Sequence, residues 1–162
     1  MYESWVDMEA GTWTHMRIVV HGTDAANFVR VTIVRSRIER NGGTVGFPSD
    51  AGVAAVGGAF VTVEDSVAVG NFRGFSACNV GGGEPLGGVL SINRSVSARN
   101  AVGMFLGPNG APCEIRVSNS TITDNTVLGI ESQGGGPVTS LGNNFVFNNA
   151  GGETFGSTVT PK

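Results

Sequence analysis

Carboxylates come first, because paired acids do general acid–base work and clusters of them hold divalent cations. The chain carries 13 Asp and Glu, 10 Lys and Arg, and two His. No Asp-Asp dipeptide occurs. Beyond Glu3, Asp7 and Glu9, the acids are Asp24, Glu39, Asp50, Glu64, Asp65, Glu84, Glu114, Asp124, Glu131 and Glu153, at unrelated intervals. Only Glu64 and Asp65 adjoin, and a strand would send those two side chains to opposite faces. His21-Gly22-Thr23-Asp24 puts an imidazole near a carboxylate but has no third partner, and it reads as a turn after a strand around 17–20. His15 has no partner in the sequence. Gly-Gly-Gly-Glu-Pro-Leu-Gly-Gly at 81–88 lacks the lysine of a phosphate loop and reads as a flexible loop. No catalytic, cofactor-binding or metal-ligating set is therefore expected.

Cys78 and Cys113 are the only cysteines, with no CxxC and no zinc-ligand spacing. A disulfide between them needs the long loops to fold together, and two partly buried free thiols are the default expectation. Asn93-Arg94-Ser95 and Asn119-Ser120-Thr121 match the glycosylation sequon, but both arise from the internal repeat described next and carry no weight.

That repeat organises the chain. Five segments align as apolar-x-apolar-x-x-Ser-x-x-x-x-Asn: 31–41, 61–71, 90–100, 115–125 and 139–149. Ser36, Ser66, Ser95 and Ser120 hold the serine position and Asn144 replaces it in the last repeat, at spacings of 30, 29, 25 and 24 residues. Asn41, Asn71, Asn100, Asn125 and Asn149 each follow five residues later. The apolar pairs are Val31/Ile33, Val61/Val63, Leu90/Ile92, Ile115/Val117 and Thr139/Leu141. Period-two alternation over short β-branched segments marks strands with one buried face. A second column follows the serine: Ile38, Ala68, Ser97, Ile122 and Val146. A third follows the asparagine: Phe47, Phe75, Met104, Ile130 and Phe155.

Three short strands per repeat predict one coil of an all-β solenoid, a right-handed parallel β-helix of about five to six coils. Stacked coils would superpose the asparagines as an amide ladder at a tight corner that tolerates left-handed backbone. Arg35, Asp65, Arg94, Asn119 and Asn143, just before the serine position, would form an exposed column. Residues 17–162 make the solenoid. Residues 1–16 form an N-terminal cap or tail, in which Ser4 to Gly11 reads as a short capped helix.

Glycine (26 residues) is in excess and charged residues make up only 14% of the chain, yet 40% apolar content with regular Val and Ile argues for a packed fold. A net charge of −3 without a basic patch speaks against nucleic acid. No stretch approaches the ~18 apolar residues of a membrane span. The N-terminal segment lacks both the basic start and the apolar run of a signal peptide.

The segments VSNSTITDN and SLGNNFVFNN, with the closing GSTVTPK, resemble bacterial right-handed parallel β-helix repeat proteins of the pectate-lyase-like fold. The resemblance spans roughly 17–162. It implies an exported parent, extracellular or periplasmic, closest to members of unknown function. It does not imply an activity, because the acid clusters of the pectin-degrading branches are missing.

Length variation is expected at the corner between the third strand and the next coil, in loops 48–58, 76–88, 107–113 and 133–137. In solenoids such insertions often mark a binding face. The functional expectation is a non-catalytic scaffold that contacts polysaccharide weakly there, through Asn79, Glu84 and Asn109. The alternative is a polysaccharide lyase or hydrolase lacking its catalytic coils.

Overall fold

A computed structural model describes residues 18–21, 29–41, 51–78, 87–108, 113–133 and 136–159, with side chains from residue 29 onward. These residues form a parallel β-solenoid with three sheets and no helix. The expected capping helix at 4–11 lies outside them.

In the first four repeats the strand of the first apolar pair opens the coil: β2 (Arg30–Val34), β5 (Phe60–Glu64), β8 (Val89–Asn93) and β11 (Glu114–Ser118) stack as one sheet with β14 (Val138–Ser140) and β16 (Ser157–Thr158). Three-residue strands follow the serine corner: β3 (Arg37–Glu39), β6 (Val67–Val69), β9 (Val96–Ala98), β12 (Thr121–Thr123) and β15 (Phe145–Phe147). The third sheet follows the asparagine corner: β1 (Ile18–His21), β4 (Ala51–Val56), β7 (Arg73–Ala77), β10 (Val102–Leu106) and β13 (Leu128–Ser132). All pairings between coils are parallel.

The core lies between the sheets. Ile33, Val63, Ile92 and Val117 stack in register, as do Ile38, Ala68, Ser97, Ile122 and Val146. The fifth repeat departs from the expected alternation. Val138 pairs with Ile115 and Ser140 with Val117, so Val138 and Ser140 take the inward positions and Leu141 is 40% exposed. Leu141 is an extra residue: its N–H donates to Val117 O, and the Asn119 N–H donates to Gly142 O. The cause is Asn144. Its amide Nδ2 reaches Val117 O and Ser140 Oγ, both at 2.9 Å. An inward leucine would leave the second of those bonds unmade, at a real cost inside the coil.

The third column is also corrected in the first coil. Val53, not Phe47, pairs with Phe75, and Ile130 pairs with Met104 further along. The expected loop 48–58 is mostly the fully buried strand β4. The extra length of this repeat lies at 42–50, before the third strand rather than after it. Phe47 itself is outside the described residues.

Two ladders run along the corners. At the first, the backbone N–H groups of Ser36, Ser66 and Ser95 each donate to the serine Oγ of the next coil at 3.1 Å, and Ser120 N–H donates to Asn144 Oδ1 at 2.9 Å. At the second, Asn41, Asn71, Asn100 and Asn125 each donate twice, from backbone N–H and from Nδ2, to the Oδ1 of the next asparagine at 2.7–3.1 Å. The second amide proton reaches back to a carbonyl of the preceding coil: Asn71 to Ile38 O, Asn100 to Ala68 O, Asn125 to Ser97 O. From Asn71 to Asn125 each buried ladder amide thereby both donates and accepts.

Left-handed backbone is required at both corners, but not at the ladder residues. It falls one residue earlier, on Arg35, Asp65, Arg94, Asn119 and Asn143 (φ 45 to 54°) and on Arg40, Gly70, Arg99, Asp124 and Asn148 (φ 54 to 66°). The ladder asparagines are selected for their amides rather than for their backbone. Just beyond them a glycine is needed: a Cβ on Gly103 would lie 2.5 Å from Gly129 O and 2.7 Å from Asn125 Nδ2.

Candidate functional site

Asn79, Glu84 and Asn109 lie outside the described residues; what is described is the base of the two loops that carry them. Cys78 closes β7, and Cys113 opens the approach to β11. The two form a disulfide with Cα atoms 6.1 Å apart, which corrects the expectation of free thiols. Both cysteines are buried. The parallel stacking of consecutive coils brings one corner directly above the next, which a separation of 35 residues did not reveal. The Gly88 N–H also points at Cys78 Sγ, 3.2 Å away. The bond therefore joins the end of one coil's third strand to the end of the next coil's loop.

The described carboxylates are committed to structural partners. Glu39 pairs with Arg37 at 2.7 Å and Glu114 with Arg116 at 2.6 Å. Asp124 accepts from Asn148 Nδ2, and Glu131 from Gln133 Nε2. Glu64 and Asp65, expected on opposite faces, both reach Arg94, at 3.6 and 2.8 Å. The left-handed turn at Asp65 breaks the strand alternation that would have separated them. The bidentate Arg94 guanidinium holds the Asp65 carboxyl below its ordinary range, and Asp65 in turn raises Arg94. Among the described residues no three His, Cys, Asp or Glu side chains gather where they could hold a metal ion. His21 ends β1, and Asp24 lies outside the description.

Two features escaped the sequence reading. Arg73 is buried, with its guanidinium 3.6 Å from the centre of the Phe105 ring and 5.7 Å from that of Phe72. This is a cation–π stack of the kind that lets an arginine be buried. The second feature is the outer face of the three-residue strands. Their middle residues face the core, so the flanking positions face out. In register these give two columns, Val67–Val96–Thr121–Phe145 and Val69–Ala98–Thr123–Phe147, the second interrupted at Thr123, which is buried. The face starts at the Arg37–Glu39 ion pair and ends at Phe145, 66% exposed, and Phe147, 52% exposed. The left-handed residues of the two corners border it on either side. The signal was present in the sequence: SVAVG and NFVFN are apolar at both parities and SVSAR at the outward one, whereas the alternation reading counted only the inward parity.

No family model, curated protein or solved structure matched this chain in comparison. Among the described residues no helix is long and apolar enough to cross a membrane.

Proposed function

We propose that this protein is a non-catalytic β-solenoid scaffold of the cell exterior that makes weak contact with polysaccharide. We read its coil as right-handed and its fold as pectate-lyase-like, from the repeat resemblance. The observation that carries the functional reading is the Cys78–Cys113 bond. It fastens together the bases of the two neighbouring corner segments in whose sequence Asn79, Glu84 and Asn109 occur. Disulfides persist in oxidising compartments, which favours an exported protein. The commitment of each described carboxylate to a structural partner favours a scaffold over a lyase or hydrolase.

A glycan array followed by titration tests the reading. The expected outcome is retention of one or more acidic or neutral polysaccharides with a Kd of about 1 mM, roughly −4 kcal/mol, and no product release. Steady release of unsaturated or reducing sugars would replace the scaffold with an enzyme.

A further inference from the structure

We propose that the outer face of the three-residue strands is a polysaccharide-binding strip whose platform is the pair of rings Phe145 and Phe147. The inference rests on the polysaccharide reading above and adds a site on a different side of the coil.

The size of the face selects the occupant. Three residues by four strands is about 10 by 19 Å. That is some ~200 Å², against ~800 Å² per partner in a standard protein interface. A second copy or a folded partner would find too little surface. A polysaccharide chain is narrow and extended, presents C–H faces to apolar side chains and carries its hydroxyls along its edges. The strip matches that division. Its floor is uncharged from β6 to β15, and its rims near the rings carry hydrogen-bonding groups: Asn119 and Asn143 on one side, Asp124 and Asn148 on the other. Each rim is already ordered by a bond between coils, Asn143 Nδ2 to Asn119 Oδ1 at 3.2 Å and Asn148 Nδ2 to Asp124 Oδ1. Phe145 and Phe147 sit two residues apart on one strand, so both rings share this face, ~7 Å apart. A sugar stacked there would remove from water two rings that are now more than half exposed.

The full-length disulfide-bonded chain is co-sedimented with microcrystalline cellulose and with chitin, and run in affinity gels containing xylan or polygalacturonate. We expect wild-type protein to be retained by at least one of them. The double variant Phe145→Ser/Phe147→Ser, and independently Val96→Lys in mid-strip, should each lose about tenfold in affinity or more, with circular dichroism and Tm unchanged. A deletion of 80–87 should keep this binding. Retention that survives both face variants and disappears with the deletion overturns the strip and leaves the corner reading standing. Failure of the wild type to bind any of the four overturns both. Self-association of the wild type in sedimentation velocity, abolished by both face variants, would make the face a protein interface and overturn the strip.

Discussion

Glu153 Oε1 accepts the backbone N–H of Asn149 at 2.8 Å and its Nδ2 at 3.4 Å. In every earlier coil those two donors go to the Oδ1 of the next asparagine. A carboxylate four residues along the same chain thus takes the place of a sixth ladder amide and ends the column. Glu153→Ala should cost about 0.5–1.5 kcal/mol, and Glu153→Gln, which keeps an acceptor oxygen, less than half of that. Urea unfolding of the three proteins, with exchange of the Asn149 amide, checks this. Equal losses for Ala and Gln would show that charge and not acceptance matters.

Asn100 is the centre of the ladder. It is buried, donates to Asn125 Oδ1, Ser97 Oγ and Ala68 O, and accepts two bonds from Asn71. Asn100→Ala should therefore cost about 2–4 kcal/mol, since several buried groups lose partners together. The half-buried Asn93 side chain accepts through Oδ1 from Ser118 Oγ and Asn119 Nδ2, and Asn93→Ala should cost about 1 kcal/mol or less. Similar values at the two sites would remove the ladder from the account of stability.

The slip in the last repeat separates two residues that the alternation made equivalent. Ile92 is 2% exposed in the central stack, whereas Leu141 is 40% exposed. Ile92→Ala should cost about 2–5 kcal/mol and Leu141→Ala under about 1 kcal/mol. Chemical denaturation compares them directly, and a larger loss at Leu141 would restore the unslipped register.

Removing the disulfide with Cys78→Ser/Cys113→Ser should lower stability by about 2–4 kcal/mol, the range expected for closing a loop of this length. Peptide mapping without reductant should recover the Cys78 and Cys113 peptides as one species. Two free thiols in protein from an oxidising compartment would contradict the structure and remove the support it lends to export.

Asp65 allows a test of the exposed ion pair by pH. Its folded pKa lies below the ordinary 3.8, first through the Arg94 hydrogen bonds. The pair therefore contributes fully above about pH 4, and its contribution is lost as pH falls through the depressed value. Because both side chains face solvent, the effect on stability is small and weakens with salt. NMR titration of the Asp65 carboxyl should give a midpoint below 3.8 that rises in Arg94→Gln. An unchanged midpoint would mean the pair does not persist in solution.

The sequence by itself determined the repeat and therefore the architecture. An inward residue every second position, a serine and an asparagine at fixed intervals, and a glycine beyond the asparagine are constraints that each coil must meet alone, so each is written locally. The asparagine ladder was legible for the same reason. Tertiary structure decided whatever depends on the coil above or below. Stacking brought Cys78 to Cys113, turned Glu64 and Asp65 toward one arginine, and shifted Leu141 outward because Asn144 needed Ser140. It also assembled short apolar segments, unremarkable one at a time, into an outer face ending in Phe145 and Phe147. A strand's own sequence states which residues alternate; only its neighbours decide which of them meet.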